Sequence, residues 1–534
     1  MKPLGAALVA VILCLSTSNA AGAEYFVDPT HAQASDANPG TEDLPWRSCP
    51  GMPAWAGSAT LNPGDTVFFR NSCTWQSSTG AALLQVYGGV TYDGASWGSG
   101  ARATLRASGP LSRSVINLMD DHPTLPTVVR GFEVDAGSQV TSGICVNWPQ
   151  SVGSMTGATK TIEDCVVHGV SSQSSLGQYE YGIVVSSGYG GSRVTANVGI
   201  LGCRVFDISR GGINIYSAND DPSSRIENVL VRGNEISATG LDPDYAGSAL
   251  PMKNHVKSAV FEFNSVHDTV RGMGIGVSSH DIGFRGPESS IIRHNIIRNC
   301  AEMGILFHVR GDTSVDVYGN LILENTYQGV RFMTMMGTLE IRIFSNTFFR
   351  NHYPGWSHEI LIPSNDADIA VLEVRNNVFR SDSDTTPVVD TDGDITGHGN
   401  NLYFRPGGGT LVTSGGVSYT AATIASFEAS AITTDPELVD ELDLPTTFAG
   451  TFGINLRPDT DGLSITSDSP AMDSGADLGA PFDSSITGIP RPFGPEWDRG
   501  AYELVPGLIF SDDFESATTG AWSSAGARSG ITKL

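Results

Sequence analysis

A three-residue motif, Asn or Cys followed by any residue and then an apolar one, begins at Cys165, Cys203, Asn234, Asn264, Asn295, Asn320, Asn346 and Asn377. It recurs about every 25 to 38 residues, the interval of a chain that stacks one structural unit on the next. After each motif and a polar turn comes a second short strand of alternating pattern. These strands begin at Ile183, Ile213, Leu250, Ile275, Ile305, Val330 and Ile360, and an earlier one begins at Ile144. Short β-branched strands between Gly and Asn turns, with almost no sustained 3.6-residue periodicity, predict coils of parallel strand. A β-propeller would need four antiparallel strands per blade and tight hairpin signals, which are missing. Asparagines stacked at the turns would bond one another's amides and the backbone from coil to coil, satisfying polar groups that the bend buries.

The chain opens MKPLGAALVAVILCLSTSNAAGA, where Lys2 precedes an apolar run and small residues then offer cleavage after Ala20 or Ala23. That pattern predicts a secretory signal peptide over residues 1–23, and hence a secreted bacterial protein, extracellular, periplasmic or held at the cell surface. No later run is apolar for long enough to predict a membrane span. Six cysteines follow the signal, too few for a disulfide scaffold in so long a chain, with Cys49 and Cys73 the best candidate pair. A formal net charge of -26 argues against nucleic acid or an anionic membrane as partner. An acidic substrate remains compatible if the site gathers the few cations.

Three stretches carry a family resemblance. YFVDPTHAQASDANPGTEDLPWRS with LNPGDTVFFRNSCTW stands near the start, the asparagine repeats fill the middle, and SDSPAMDSGADLG with PRPFGPEWDRGAYE stands near the end. With these the chain resembles the secreted right-handed parallel β-helix proteins related to pectate lyases. The resemblance implies an all-β, right-handed parallel β-helix with an N-terminal cap and a short C-terminal tail. On this reading residues 24–125 form the cap and first coils, and 126–404 form the central helix that carries a groove. Residues 405–505 extend and close it, and 506–534, polar and rich in Gly and Ser, form a tail that resembles bacterial sorting signals. The fold hosts lyases, hydrolases, epimerases, esterases and adhesins, so the site must decide the activity.

Aligning the second strand of each repeat on its apolar positions sends the residues between them outward. One outward column includes Asn214, Pro251, Gly276, Leu306 and Arg331; the next includes Tyr216, Lys253, Ser278 and His308. Two residues further along stand His255, His280 and Arg310. Coils stack at roughly 4.8 Å, so these ionisable groups would share a strip on the order of 20 Å long, the span of a few sugars. Singly, each is an ordinary solvated side chain. Lysine, however, occurs only at positions 2, 160, 253, 257 and 533, so a lysine in the middle of this strip is conspicuous. The heptapeptide ALPMKNH that holds it lacks the Gly found at this place in the other repeats, and a shift of one residue there would turn Lys253 inward.

β-Elimination on a uronate needs a base for the C5 proton, a cation or donor for the carboxylate-conjugated anion, and an acid for the departing O4. The lyases this chain resembles commonly use Lys or Arg as the base, with Ca2+ or basic side chains at the carboxylate, which implies Lys253 as base. A lysine serves so only if cations or desolvation lower its pKa. His308 and Arg310 are assigned to carboxylate recognition or acid work, and Tyr216 to alternative proton donation. His255, His280, Arg331, Asn214 and Glu180 are assigned to substrate binding. Asp220, Asp221, Asp242 and Asp244 offer hard oxygen ligands of the kind Ca2+ takes. The expected partner is an acidic polysaccharide, bound by a monomer. The competing readings are an inverting glycoside hydrolase and a non-catalytic adhesin. The hydrolase would use Asp220 with Asp221, and Gly397-His398-Gly399 superficially resembles a polygalacturonase triplet.

Overall fold

The computed structural model describes residues 22–505 apart from 148–152, 172–179, 189–190, 218–222, 246, 280–284, 353–357, 364–367, 383–385 and 393–394. Residues 1–21 of the expected signal peptide, the expected tail 506–534, His280, Asp220 and Asp221 lie outside the described residues.

Successive coils each lay one strand on each of three sheets. The coil that starts at Lys160–Glu163 continues through Val166–Val170 and Tyr181–Ser186; the next runs through Val194–Leu201, Arg204–Ile208 and Gly211–Tyr216. Like strands of neighbouring coils pair in parallel, Ile162 with Ile200, Val167 with Val205 and Ile183 with Ile213. The result is an all-β, right-handed parallel β-helix with sheets of 14, 13 and 12 strands among the described residues. Since side chains alternate, every second residue of each strand points into one continuous apolar core. Inside it, aromatic rings stack from coil to coil, Phe307 on Phe332 at 4.7 Å and Phe348 on Phe379 at 4.8 Å. At the N-terminal end Trp46 packs between Tyr25 and Trp55 and closes the first coil.

The repeat motif sits at the corner between the 14- and 12-stranded sheets. There the residue before each motif takes a left-handed conformation, as at Gly233, Phe263, His294, Gly319, Ser345 and Asn376, and this ends one strand and redirects the chain into the next. The following asparagine serves the groups freed by the bend. Asn295 Nδ2 donates to Asn320 Oδ1 at 2.9 Å and to the Phe261 carbonyl at 2.9 Å. The same linkage runs from Asn234 through Asn264, Asn295, Asn320, Asn346 and Asn377 to Asn401. Glu428 terminates it, accepting the Asn401 amide at 2.7 Å and Asn401 Nδ2 at 3.0 Å. A second, shorter ladder joins Asn325 to Asn351 and ends on Glu359.

One expectation is corrected. Cys49 and Cys73 are not bonded to each other; all six described cysteines are buried free thiols. Cys73 Sγ turns instead toward Asp28 Oδ1 at 3.8 Å and Thr30 Oγ1 at 3.7 Å in the N-terminal cap.

Candidate functional site on the 13-stranded sheet

The closing segment leans on the other two sheets. Arg380 reaches Glu441 from the 12-stranded sheet, and Phe482 packs on Tyr318 and Phe344 of the 14-stranded one. The ionisable column stands on the third sheet. In strand Leu250–Lys253, Met252 is fully buried while Lys253 is half-buried on the outer face. Lys253 pairs with Tyr216 on one side and Ser278 on the other, and Ser278 pairs with His308. The register aligned from the repeats is thus the register observed, despite the missing Gly. Lys253 Nζ also lies 6.0 Å from the centre of the Tyr181 ring, at the limit of a cation-π contact. In the neighbouring column Leu306 pairs with Arg331, whose half-buried guanidinium keeps its Nε without a hydrogen-bond partner. Asn214, 2% exposed, likewise keeps its Oδ1 without one.

Burial sets the electrostatics of this face. Burial first, and then the Arg310 guanidinium, hold His308 below the usual imidazole range, so its ring is neutral at neutral pH. Glu180 is almost fully buried just ahead of Tyr181, with Arg210 3.7 Å away. Desolvation pushes its carboxyl above the usual range, opposed by Arg210 and assisted by Asp242. Glu302 is raised by burial too, with Arg331 opposing. Burial lowers His358, while Asp390 and the Pro387 carbonyl work against it. Sequence patterning did not single out Tyr181, Arg210, Glu302, His358 or Asp390. They stand where strands begin or where later coils add to the sheet, and no repeat motif marks them.

His255, expected on this face, stands elsewhere, and the Gly397-His398-Gly399 triplet of the hydrolase reading lies off the face too. Asn254 adopts φ +61°, ends the strand and turns the chain toward the 14-stranded sheet, where Val256 pairs with Ile226. His255 therefore does not flank Lys253. It is buried at the corner, its Nδ1 donating to the Ser224 carbonyl at 3.0 Å. Gly397-His398-Gly399 is a strand of the 14-stranded sheet, and the His398 ring stacks on Phe427 at 4.0 Å, a packing role away from the candidate face.

Of the carboxylates proposed for Ca2+, only Asp242 and Asp244 are among the described residues. No group of three or more His, Cys, Asp or Glu is placed to hold a metal ion there. Asp242 is buried and accepts the Asp244 amide at 2.9 Å, the bond of an ordinary Asx turn, while Asp244 faces solvent. No described helix is long and apolar enough to cross a membrane.

No family model matches the chain, and no curated protein matches it. Among solved structures it is similar to the pectate lyase Pel9A, at 13% identity over 91% of this chain and 98% of that one, with a TM-score of 0.47. It is also similar to the A-module of the mannuronan C-5 epimerase AlgE4 of Azotobacter vinelandii, at 14% identity over 65% and 86% of the two chains, with a TM-score of 0.43. A third is the lacto-N-biosidase from Eubacterium ramulus, at 13% identity over 73% and 65%, with a TM-score of 0.41.

Proposed function

We propose that this chain is a secreted polysaccharide lyase that cleaves a uronate-containing acidic polysaccharide by β-elimination, with Lys253 as the base. The observation that carries the reading is the register itself, which aligns Tyr216, Lys253, Ser278 and His308 on consecutive strands of one outer face. Arg331 in the next column and Arg310 just past the His308 strand supply cations for the sugar carboxylate. Because His308 is held neutral, carboxylate recognition falls to the two arginines, and the imidazole is left to hydrogen-bond the sugar.

In the reaction Lys253 accepts the C5 proton. The electron pair left on C5 forms the C4–C5 double bond as the C4–O4 bond breaks. Tyr216 returns a proton to O4, because a neutral His308 could give one up only by becoming an imidazolate. The arginines act on the negative charge that builds on the carboxylate as C5 is deprotonated, where a fixed cation contributes most.

The test is a panel of acidic polysaccharides followed by the ultraviolet absorbance of the conjugated product, with and without a Ca2+ chelator. Wild type should generate that chromophore, and Lys253→Ala should lose it by about a hundredfold or more. Reducing ends without the chromophore would replace the lyase by a hydrolase. Binding with no product would replace it by an adhesin.

A further inference from the structure

Around the corner from Lys253, outside the proposed reaction face, a cleft of about 220 Å³ is lined by Arg225, His255, Val256, Lys257, Arg285, Gly286 and Glu288. We infer that this cleft is a binding site for an oxyanion, a carboxylate or a sulfate or phosphate group, held by Lys257, His255, Arg225 and Arg285.

The first support is an unmet hydrogen-bonding group. His255 is 8% exposed, and its Nε2 is buried with no partner. Its Nδ1 donates to the Ser224 carbonyl, which fixes the ring in place with Nε2 as its spare nitrogen. Leaving such a group unmet in a buried position costs free energy, and a ligand would recover it.

The second support is charge. In a chain of net charge -26, three cations converge here. Arg225 is paired with Glu227, and Arg285 with Glu288 at 3.2 Å. Lys257, one of the five lysines of the whole chain, is exposed and has neither ion pair nor side-chain hydrogen bond among the described residues. Three cations against two carboxylates leave an excess positive charge with a planar donor, the guanidinium, on each side of the lysine. Since Nδ1 already donates to Ser224, Nε2 carries a proton only when the ring is charged. An oxyanion seated there accepts from the Nε2–H of the charged ring.

The occupant has two sources, a free inorganic anion or an acidic group on a glycan. His255 lies two residues beyond Lys253, which places the two Cα atoms no more than about 7 Å apart along the chain. A glycan on the reaction face passes within reach, but the anion site stands whether or not that face is a lyase.

Calorimetric titration of the intact protein at fixed ionic strength tests it, with sodium sulfate in one arm, a trimer of galacturonate in the other and sodium chloride as the control. Wild type should bind sulfate or the trimer saturably. Lys257→Met is an exposed substitution that spares the fold, and it should weaken binding by roughly tenfold. Lys253→Met should leave sulfate binding unchanged. Sulfate binding alone assigns the occupant as a free anion or sulfate ester, and trimer binding assigns it as a glycan carboxylate. No saturable binding above the chloride control, or equal affinity in wild type and Lys257→Met, overturns the proposal.

Discussion

His308 lies near the end of strand Ile305–Val309 and Arg310 just beyond it, and their closeness has a measurable consequence. Burial lowers the His308 pKa first and the Arg310 charge lowers it further, so a proton-resonance titration should place its midpoint below the usual imidazole value of about 6.5. Arg310→Gln should raise that midpoint only in part, because desolvation is the larger cause and survives the substitution. Glu359 shows the opposite sign. Its carboxyl is fully buried at the end of the second ladder, and desolvation pushes it up to about 8 although Asn351 donates to it. A carboxyl raised in the folded state binds its proton more tightly there than in the unfolded chain. Its contribution to stability is complete below its ordinary value and is lost as pH rises toward 8. Glu359→Gln should flatten that part of the stability profile and stabilise the protein at pH above 8 by on the order of a few kcal/mol, read from urea melts across the range.

At the scale of the element, the asparagine ladder is where local chemistry and the stacked fold meet. Asn320 donates to Ile292 O, Tyr318 O and Asn346 Oδ1, and its own Oδ1 accepts both nitrogens of Asn295. Asn320→Ala would leave several buried groups without partners. It should cost about 2–4 kcal/mol in urea unfolding, far more than an exposed substitution. The ladder also holds Phe263 and His294 in left-handed conformations that bulky side chains disfavour. The asparagines from 234 to 377 were legible because the motif recurs at coil spacing. Asn401 and the terminating Glu428 were not. Glu428 follows the short 3-10 turn Ile424–Ser426, and only the return of that turn to the end of the core shows the carboxylate taking the next asparagine's place.

At the scale of the whole molecule, Arg491 knits the closing segment into a unit that then docks on the coils. This guanidinium is inaccessible to solvent and donates to the carbonyls of Asp498, Gly500 and Tyr502, with Glu503 3.2 Å away. Gly500 and Asn376 then join the segment to the solenoid. Arg491→Met removes one member of a buried pair and three donors. It should destabilise by about 3–5 kcal/mol and raise amide exchange through residues 471–503 before the central coils. The sequence by itself determined the coil period, the inward and outward alternation and the column through Tyr216, Lys253, Ser278 and His308. All of these follow from the two-residue period of a strand and from turn residues that are neighbours in the chain. Only the tertiary structure decided that Cys73 turns toward the cap instead of Cys49, and that His255 leaves the candidate face to meet Arg225, Lys257 and Arg285. Those outcomes depend on the left-handed turn at Asn254, on the pairing of Val256 with Ile226 a coil away, and on the packing around each thiol. Pairing and packing between coils are set by residues distant in sequence, which no local pattern records.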